Sequence, residues 1–342
     1  MFEPAPFFIA EVGINHNGNV ALAHEMMVAA HGAGAHVVKF QSFSADSVAC
    51  RHTLSAPHVD EHLGVSGTFY DLLERVSLPY GAQKTLHATG LPFASTPFNF
   101  EDVDFLVSLG VPFLKVGSTD VNNLPFLAYM ARTGVPLLLS TGMATLAEVQ
   151  QAVDCIRRAG NPPLALMHCV SLYPPMPEEL NLQAIPTLKA AFPGVPIGFS
   201  DHTIGVWAAT AAVALGATII EKHFTLDKTM AGPDQAVSAD PAEFAALVSA
   251  CQMTAKALET AGKQPSAREL SMRPAFRRSV VSRRAIPAGA TITEADLTLK
   301  RPGTGLVPDQ LEHLLGCRAQ SDIPADTPLQ LDMVHFTVGS AL

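Results

Sequence analysis

The chain has 342 residues, 48% of them hydrophobic, and a formal net charge of −9. That balance leaves ample material for a packed core and excludes a nucleic-acid partner held by bulk electrostatics. It does not exclude a small anionic substrate, because an acidic protein can still gather lysines locally. No apolar run is long enough to span a bilayer, and the N-terminus, which lacks a basic start, does not read as a secretory signal. Five cysteines, at 50, 155, 169, 251 and 317, are scattered without a CxxC pair. The expected setting is therefore a reducing, cytoplasmic one, with no disulfide framework.

Short apolar runs alternate with helix-like segments from residue 7 to about 260. Eight of them predict strands, at 7–13, 36–43, 92–98, 113–119, 136–142, 164–170, 196–202 and 218–224. Most begin apolar without alternation, as strands buried on both faces do. Segments such as NVALAHEMMVAAHGAG (19–34) and TLAEVQQAVDCIRRAG (145–160) supply the helices between them. Eight such units predict an α/β fold of the (β/α)8 TIM-barrel type. The count, and the lack of GxGxxG after the first strand, argue against a doubly wound open sheet. The longest interruption, 44–80, holds His52, His58 and His62. It reads as an extended loop with a short helix, a candidate lid. The barrel is expected over 1–262 and a polar linker over 263–275. A small, mostly β module follows over 276–342, its short runs separated by PAG, RPG and PAD turns. That module is near the lower size limit for an independent core, so it is expected to pack on its own barrel or on a neighbour's.

Active sites of such barrels sit at the C-terminal ends of the strands. The polar residues there are Glu11, Lys39, Gln41, Ser95, Thr96, Lys115, Ser118, Ser140, Thr141, Ser171, Tyr173, Ser200, Asp201, His202, Glu221 and His223. Lys39 and Lys115 fall inside strands, where an unpaired ammonium is costly. A bound phosphate or carboxylate would satisfy them, with serine hydroxyls as further donors. His202 and His223 are separated by one helix-length segment, VWAATAAVALG (206–216), and so fall at the ends of two neighbouring parallel strands. Two imidazoles so placed can share a divalent ion such as Mn²⁺, Mg²⁺ or Co²⁺, with water or substrate completing the shell. Glu11 is a candidate general acid or base, or else a partner for a lysine. Asp234, in the GPDQ turn, is a candidate hydroxyl-binding carboxylate or a turn residue.

The strings AEVGINHNGN (10–19), VVKFQSF (37–43), ASTPF (94–98), LKVGS (114–118), LSTGM (139–143), MHCVSLYP (167–174), GFSDHTIG (198–205), EKHFTLDK (221–228) and GPD (232–234) occur in this order. Together they resemble the barrel motifs of the sialic acid synthase family. AIPAGATITEADLTLKRPG (285–303) resembles the antifreeze-like (SAF) domain that follows that barrel. The resemblance covers nearly the whole chain. It implies condensation of phosphoenolpyruvate with open-chain N-acetylmannosamine, giving N-acetylneuraminate and phosphate by C–O cleavage. It implies that His202 and His223 hold the metal, with Mn²⁺ foremost, and that Glu11 moves a proton near the aldehyde. Lys39, Lys115, Ser118, Ser140 and Ser200 would bind phosphoenolpyruvate, with Thr96 and Ser171 also in the substrate site. Gln41, Tyr173 and Asp234 would touch the sugar. Arg301 would reach the N-acyl group from the other subunit of a head-to-tail, domain-swapped homodimer.

Two positions depart from the family pattern. Ser171 stands where some members have asparagine, and Gln235 where many have histidine. The alternative acceptors are a diacetamido-trideoxyhexose, giving legionaminic or pseudaminic acid, and N-acetylmannosamine 6-phosphate. GSTDVNNLPFL (117–127) is nearer the sialic and legionaminic branches than the pseudaminic one. A phosphorylated sugar would need added cations, for which Arg51 and Arg75 are inconclusive candidates. An ice-binding role for the tail is set aside, because Arg283, Arg284, Lys300 and Arg301 interrupt it and a complete barrel precedes it.

Overall fold

The computed structural model describes Phe2, residues 6–53 and residues 68–335. The chain divides into two compact units, Met1–Glu259 and Thr260–Leu342. In the first, eight parallel strands close into a barrel in chain order. They are Phe7–Gly13 (β1), Val37–Ser42 (β2), Phe93–Pro97 (β3), Leu114–Val116 (β4), Leu137–Ser140 (β5), Leu164–Cys169 (β6), Ile197–Asp201 (β7) and Ile219–His223 (β8). Each lies within its expected span, and pairing of β1 with β8 closes the ring. Helices cross back outside, among them Val20–Gly32, Leu146–Ala159 and Pro241–Ala257. Their starts are written locally. Thr145 and Glu148 satisfy each other's backbone N–H groups, and Asp240 and Glu243 do the same with Pro241 in the first turn.

Alternation along the strands separates two environments. Phe8, Ala10 and Val12 of β1, Val38 and Phe40 of β2, and Leu137 and Leu139 of β5 face the helices and join the main core. The intervening residues face the barrel axis. Its lower part is plugged by Phe7, Ile9, Val37, Ala94, Phe113, Leu138, Ala165, Met167 and Ile219, with Phe2 beneath. Two residues further along the same strands the interior becomes polar, and the site begins there.

In the 44–80 interruption, helices form at Ala45–Val48 and Phe69–Val76. His58 and His62 lie outside the described residues. The second unit has its own apolar core, including Val280, Ile286, Ile292, Leu297, Leu314 and Ile323. Two small antiparallel pairs frame it: Ser279–Ser282 (β9) with Leu297–Lys300 (β10), and Arg318–Ala319 (β11) with Val334–His335 (β12). The stretch expected as linker carries two short helices, Ala267–Ser271 and Arg273–Phe276. The first is capped by Ser266, whose hydroxyl accepts from the Glu269 amide at 3.1 Å.

Candidate active site

Strand register assembles the polar layer. Glu11 lies beside Lys39 on one side and His223 on the other, Gln41 beside Thr96, and Ser200 beside Glu221. Neighbouring parallel residues in register face the same way, so these side chains converge on the barrel axis. With Lys115, Ser118, Ser140, Ser171, Tyr173, His202 and Asp234 they line a cavity of about 420 Å³ at the C-terminal ends of the strands. A larger hollow of about 570 Å³ in the second unit is lined by Lys263, Glu269, Arg273 and Arg277. All four are exposed, so it offers no desolvated chemistry.

The floor of the barrel-end cavity is a buried chain of charges. Lys39 Nζ lies 2.6 Å from Glu11 and 3.7 Å from Glu221, and donates to Thr96 at 3.0 Å. Lys115 Nζ lies 3.7 Å from Glu221 and donates to Ser140 at 2.7 Å. Gln41 donates to Glu11 at 3.2 Å and Ser200 to Glu221 at 3.4 Å. Two carboxyl groups and two lysine amines thus face one another out of water. Their environments push the carboxyls apart. Burial raises Glu11 to about 7, against the pull of Lys39. Burial also works against ionised Glu221, but Lys115 and Lys39 together hold it below its ordinary range. Burial lowers Lys115, whereas Lys39, although burial opposes its charge, is raised by Glu11 and Glu221.

Packing at the rim is close. Gly13 has φ +54°, and a Cβ there would stand 3.2 Å from Glu11 Oε1 and 3.3 Å from Gln41 Nε2. Glycine therefore both permits the turn and leaves room for the acid.

At the ends of β7 and β8 the two imidazoles sit with ring centroids 5.4 Å apart. Tyr173 stacks on His202 at 4.1 Å and meets His223 edge-on at 5.8 Å. His202 Nδ1 is 2.7 Å from the Val170 carbonyl; donating there leaves Nε2 as a free lone pair. Burial lowers His202 to about 4 and holds His223 well below its ordinary value, so both are neutral at pH 7. His223 Nδ1 is buried without a hydrogen-bond partner, 3.7 Å from Asp234 Oδ2. Burial raises Asp234 to about 6. An orphaned ring nitrogen beside a second neutral imidazole and a carboxyl is a donor set that fits a divalent ion. Among the described residues, no three or more His, Cys, Asp or Glu side chains are grouped as a ready-made metal cage.

Fourteen of the residues singled out from sequence meet in this cavity: Glu11, Lys39, Gln41, Thr96, Lys115, Ser118, Ser140, Ser171, Tyr173, Ser200, His202, Glu221, His223 and Asp234. Arg301 lies in the second unit, exposed, with its guanidinium over the Phe276 ring at 5.3 Å. Three of the strand-end residues do not line the cavity. Ser95 bonds Ser42, Thr141 bonds the Met167 carbonyl, and Asp201 pairs with Lys222. Gln235 is buried and bonds Thr225 and the Asn15 carbonyl, so it fastens one loop to another. Glu221 had no assigned role from sequence, yet it is the carboxylate common to both lysines. The available signal was its position two residues before His223, which places both on the same face of β8.

Comparison with known proteins gives the family of the chain. The NeuB family pattern matches residues 26–263, and the SAF domain pattern matches residues 277–335. The chain is 40% identical to N,N'-diacetyllegionaminic acid synthase of Legionella pneumophila over 331 residues, 94% of this chain and 93% of that protein. It is 38% identical to the Campylobacter jejuni protein of the same name over 324 residues, 93% of this chain and 97% of the other. The crystal structure of N-acetylneuraminic acid synthetase from Leptospira borgpetersenii, in complex with citrate, superposes with TM-score 0.69 at 34% identity, covering 79% of this chain and 90% of that one. The chain belongs to the NeuB family, synthases that condense phosphoenolpyruvate with sugars.

Proposed function

We propose that this cavity joins C3 of phosphoenolpyruvate to the aldehyde carbon of an N-acetylated hexosamine, releasing phosphate by C–O cleavage. The observation that carries this reading is the buried Glu11–Lys39–Glu221–Lys115 chain sharing one cavity with two neutral histidines. Lys39 and Lys115, with the hydroxyls of Thr96, Ser118, Ser140, Ser171 and Ser200, bind the phosphate and carboxylate of phosphoenolpyruvate. His202 and His223 hold a divalent ion, Mn²⁺ foremost, with Asp234 beside them. When bound, that ion supplies a Lewis acid that polarises the aldehyde oxygen.

Glu11 is the acid. Its carboxyl is already raised to about 7. An arriving anion that engages Lys39 weakens the ion pair opposing that shift, which keeps the carboxyl protonated. As C3 bonds to the aldehyde carbon, Glu11 donates its proton to the new alkoxide oxygen. Water then adds to C2, left as an oxocarbenium, and one of its protons returns to Glu11. The C2 hydroxyl gives its remaining proton to the departing phosphate as the C2–O bond breaks, leaving the C2 ketone. Glu221, held as a carboxylate, keeps the two ammoniums in register on the cavity floor. Paired carboxyls driven apart in this way divide acid and anion roles. Gln41 and Tyr173 flank the sugar, and Tyr173 packs against both imidazoles.

Among acceptors, two relatives named as diacetyllegionaminic acid synthases favour a diacetamido-trideoxyhexose over N-acetylmannosamine. Lys39 and Lys115, both already engaged, are the only cations among the described residues lining the cavity. That argues against a sugar phosphate. The test is phosphate release from phosphoenolpyruvate with Mn²⁺ against N-acetylmannosamine, its 6-phosphate and diacetamido-trideoxyhexoses, with product mass read in parallel. Release with a diacetamido sugar and the matching acid mass is the expected result. No release with any of them, from folded and metal-loaded protein, overturns the reading.

A further inference from the structure

Directly behind the two histidines, on the outer face of the barrel wall, lies a buried ion pair that the reaction does not use. Lys222 Nζ is 2.9 Å from Asp201 Oδ2, and neither side chain is more than 2% exposed. Asp201 and Lys222 are register partners across β7 and β8. Each immediately precedes a site histidine, His202 and His223 respectively. Lys222 also donates to the Thr203 carbonyl, and Asp201 Oδ1 accepts from the Thr203 amide at 2.8 Å. One ammonium therefore holds the Asp201 side chain and the Thr203 backbone, on either side of His202, while belonging to the strand that carries His223.

Stability alone does not explain such a pair. Desolvating two charges costs several kcal/mol, and a buried pair can usually be replaced by apolar side chains of similar volume without loss. What the pair does supply is a fixed spacing between two strand ends. The histidines differ in their need for it. His202 has a ring hydrogen bond, to the Val170 carbonyl. His223 has none at Nδ1, so its aim depends on its backbone.

We propose that Asp201 and Lys222 are positioning residues that hold the ends of β7 and β8 at the separation the two imidazoles need to grip one divalent ion. The inference rests on the metal reading of His202 and His223. Ligand-orienting groups behind a metal site typically carry ten- to hundredfold in affinity.

The experiment measures Mn²⁺ binding to the full chain by electron paramagnetic resonance, without substrates. It compares wild type, His223→Ala and the double variant Asp201→Leu/Lys222→Met, with thermal melting as the check on folding. The double variant is expected to melt at or above the wild-type temperature and to bind Mn²⁺ roughly ten- to hundredfold more weakly. A folded double variant with wild-type affinity overturns the inference and leaves the metal reading intact. Wild type that binds no Mn²⁺, or binds it no better than His223→Ala, overturns both. Should the double variant fail to fold, Asp201→Glu keeps the charges and lengthens the pair by one methylene. A tenfold loss of affinity in it supports the inference, and unchanged affinity overturns it.

Discussion

The same eight strands build two interiors. The lower layer, from Phe7 and Ile9 through Phe113 to Ile219, is apolar and has every reason to be buried. The upper layer, two residues further along, is as thoroughly enclosed but made of Glu11, Lys39, Lys115, Glu221 and two histidines. In it Glu221 Oε2 and His223 Nδ1 are buried without a hydrogen-bond partner. The lower layer is complete in itself, whereas the upper layer has buried polar atoms left for a ligand or water to satisfy. Substitutions in the upper layer should therefore cost turnover, and substitutions in the lower layer should cost stability.

The sharpest break is at the histidines. His202→Ala and His223→Ala should each lower turnover by roughly a thousandfold or more, since a Lewis acid supplies several kcal/mol. Their melting temperatures should stay near wild type. Metal chelation should reproduce the loss in the wild type and change nothing further in either variant. Full activity in either variant under metal depletion would remove the metal from the mechanism.

Glu11 comes next. Glu11→Gln retains the shape and should lower kcat roughly 10²–10⁴-fold. The sign of its pH dependence follows from the direction of its shift. Folded Glu11 titrates near 7, above its ordinary 4.5, so the protonated acid is lost as pH rises through about 7. Wild-type kcat/KM should fall over that range, and the limb should vanish in the glutamine variant. The same shift makes the folded state bind more protons than the unfolded state between those values. Stability should therefore decline as pH rises from about 4.5 to about 7, and the variant should lack that decline. A kcat/KM that rises through pH 7 would assign Glu11 as a base.

The fold was legible because each strand of a parallel barrel is apolar on both faces, and each such run is bounded by glycine, proline or polar residues. The site was legible for a related reason: lysines such as Lys39 and Lys115 inside such runs are costly to bury without a partner. Two things were not legible. Ser95, Thr141 and Asp201 looked like site residues, but each adjoins one that does face the axis, and adjacent strand residues cannot both do so. Glu221 stood in the same strand-end set, but with no role assigned to it. Its importance comes from Lys39 on β2 and Lys115 on β4. Those strands reach it only once the barrel closes, and no local pattern records that approach.

The mildest substitutions separate the layers most cleanly, because the same methyl group can be added to each. In Gly198→Ala, on the inner face of β7 below Ser200, the new Cβ would lie 2.7 Å from the Ile219 carbonyl oxygen and 2.8 Å from Ile219 Cβ. Backbone cannot step aside cheaply, so the cost should be overpacking, about 1–3 kcal/mol of stability. In Gly142→Ala, after β5, the Cβ would lie 2.5 Å from Ser171 Oγ and 2.8 Å from Ser118 Oγ. Those hydroxyls can rotate, and Ser118 Cβ, at 3.2 Å, needs to give by only a few tenths of an ångström, so the cost to the fold should be smaller than in Gly198→Ala. The rotation, however, disturbs two of the groups assigned to phosphoenolpyruvate, one of which also accepts from the Gly142 amide at 3.0 Å. Weakening one hydrogen bond of about 1 kcal/mol should raise the KM for phosphoenolpyruvate roughly fivefold, with the KM for the sugar unchanged. Equal changes in both KM values would mean that these serines do not distinguish the two substrates. A fall in melting temperature as large as that of Gly198→Ala would mean that the upper layer supports the fold after all.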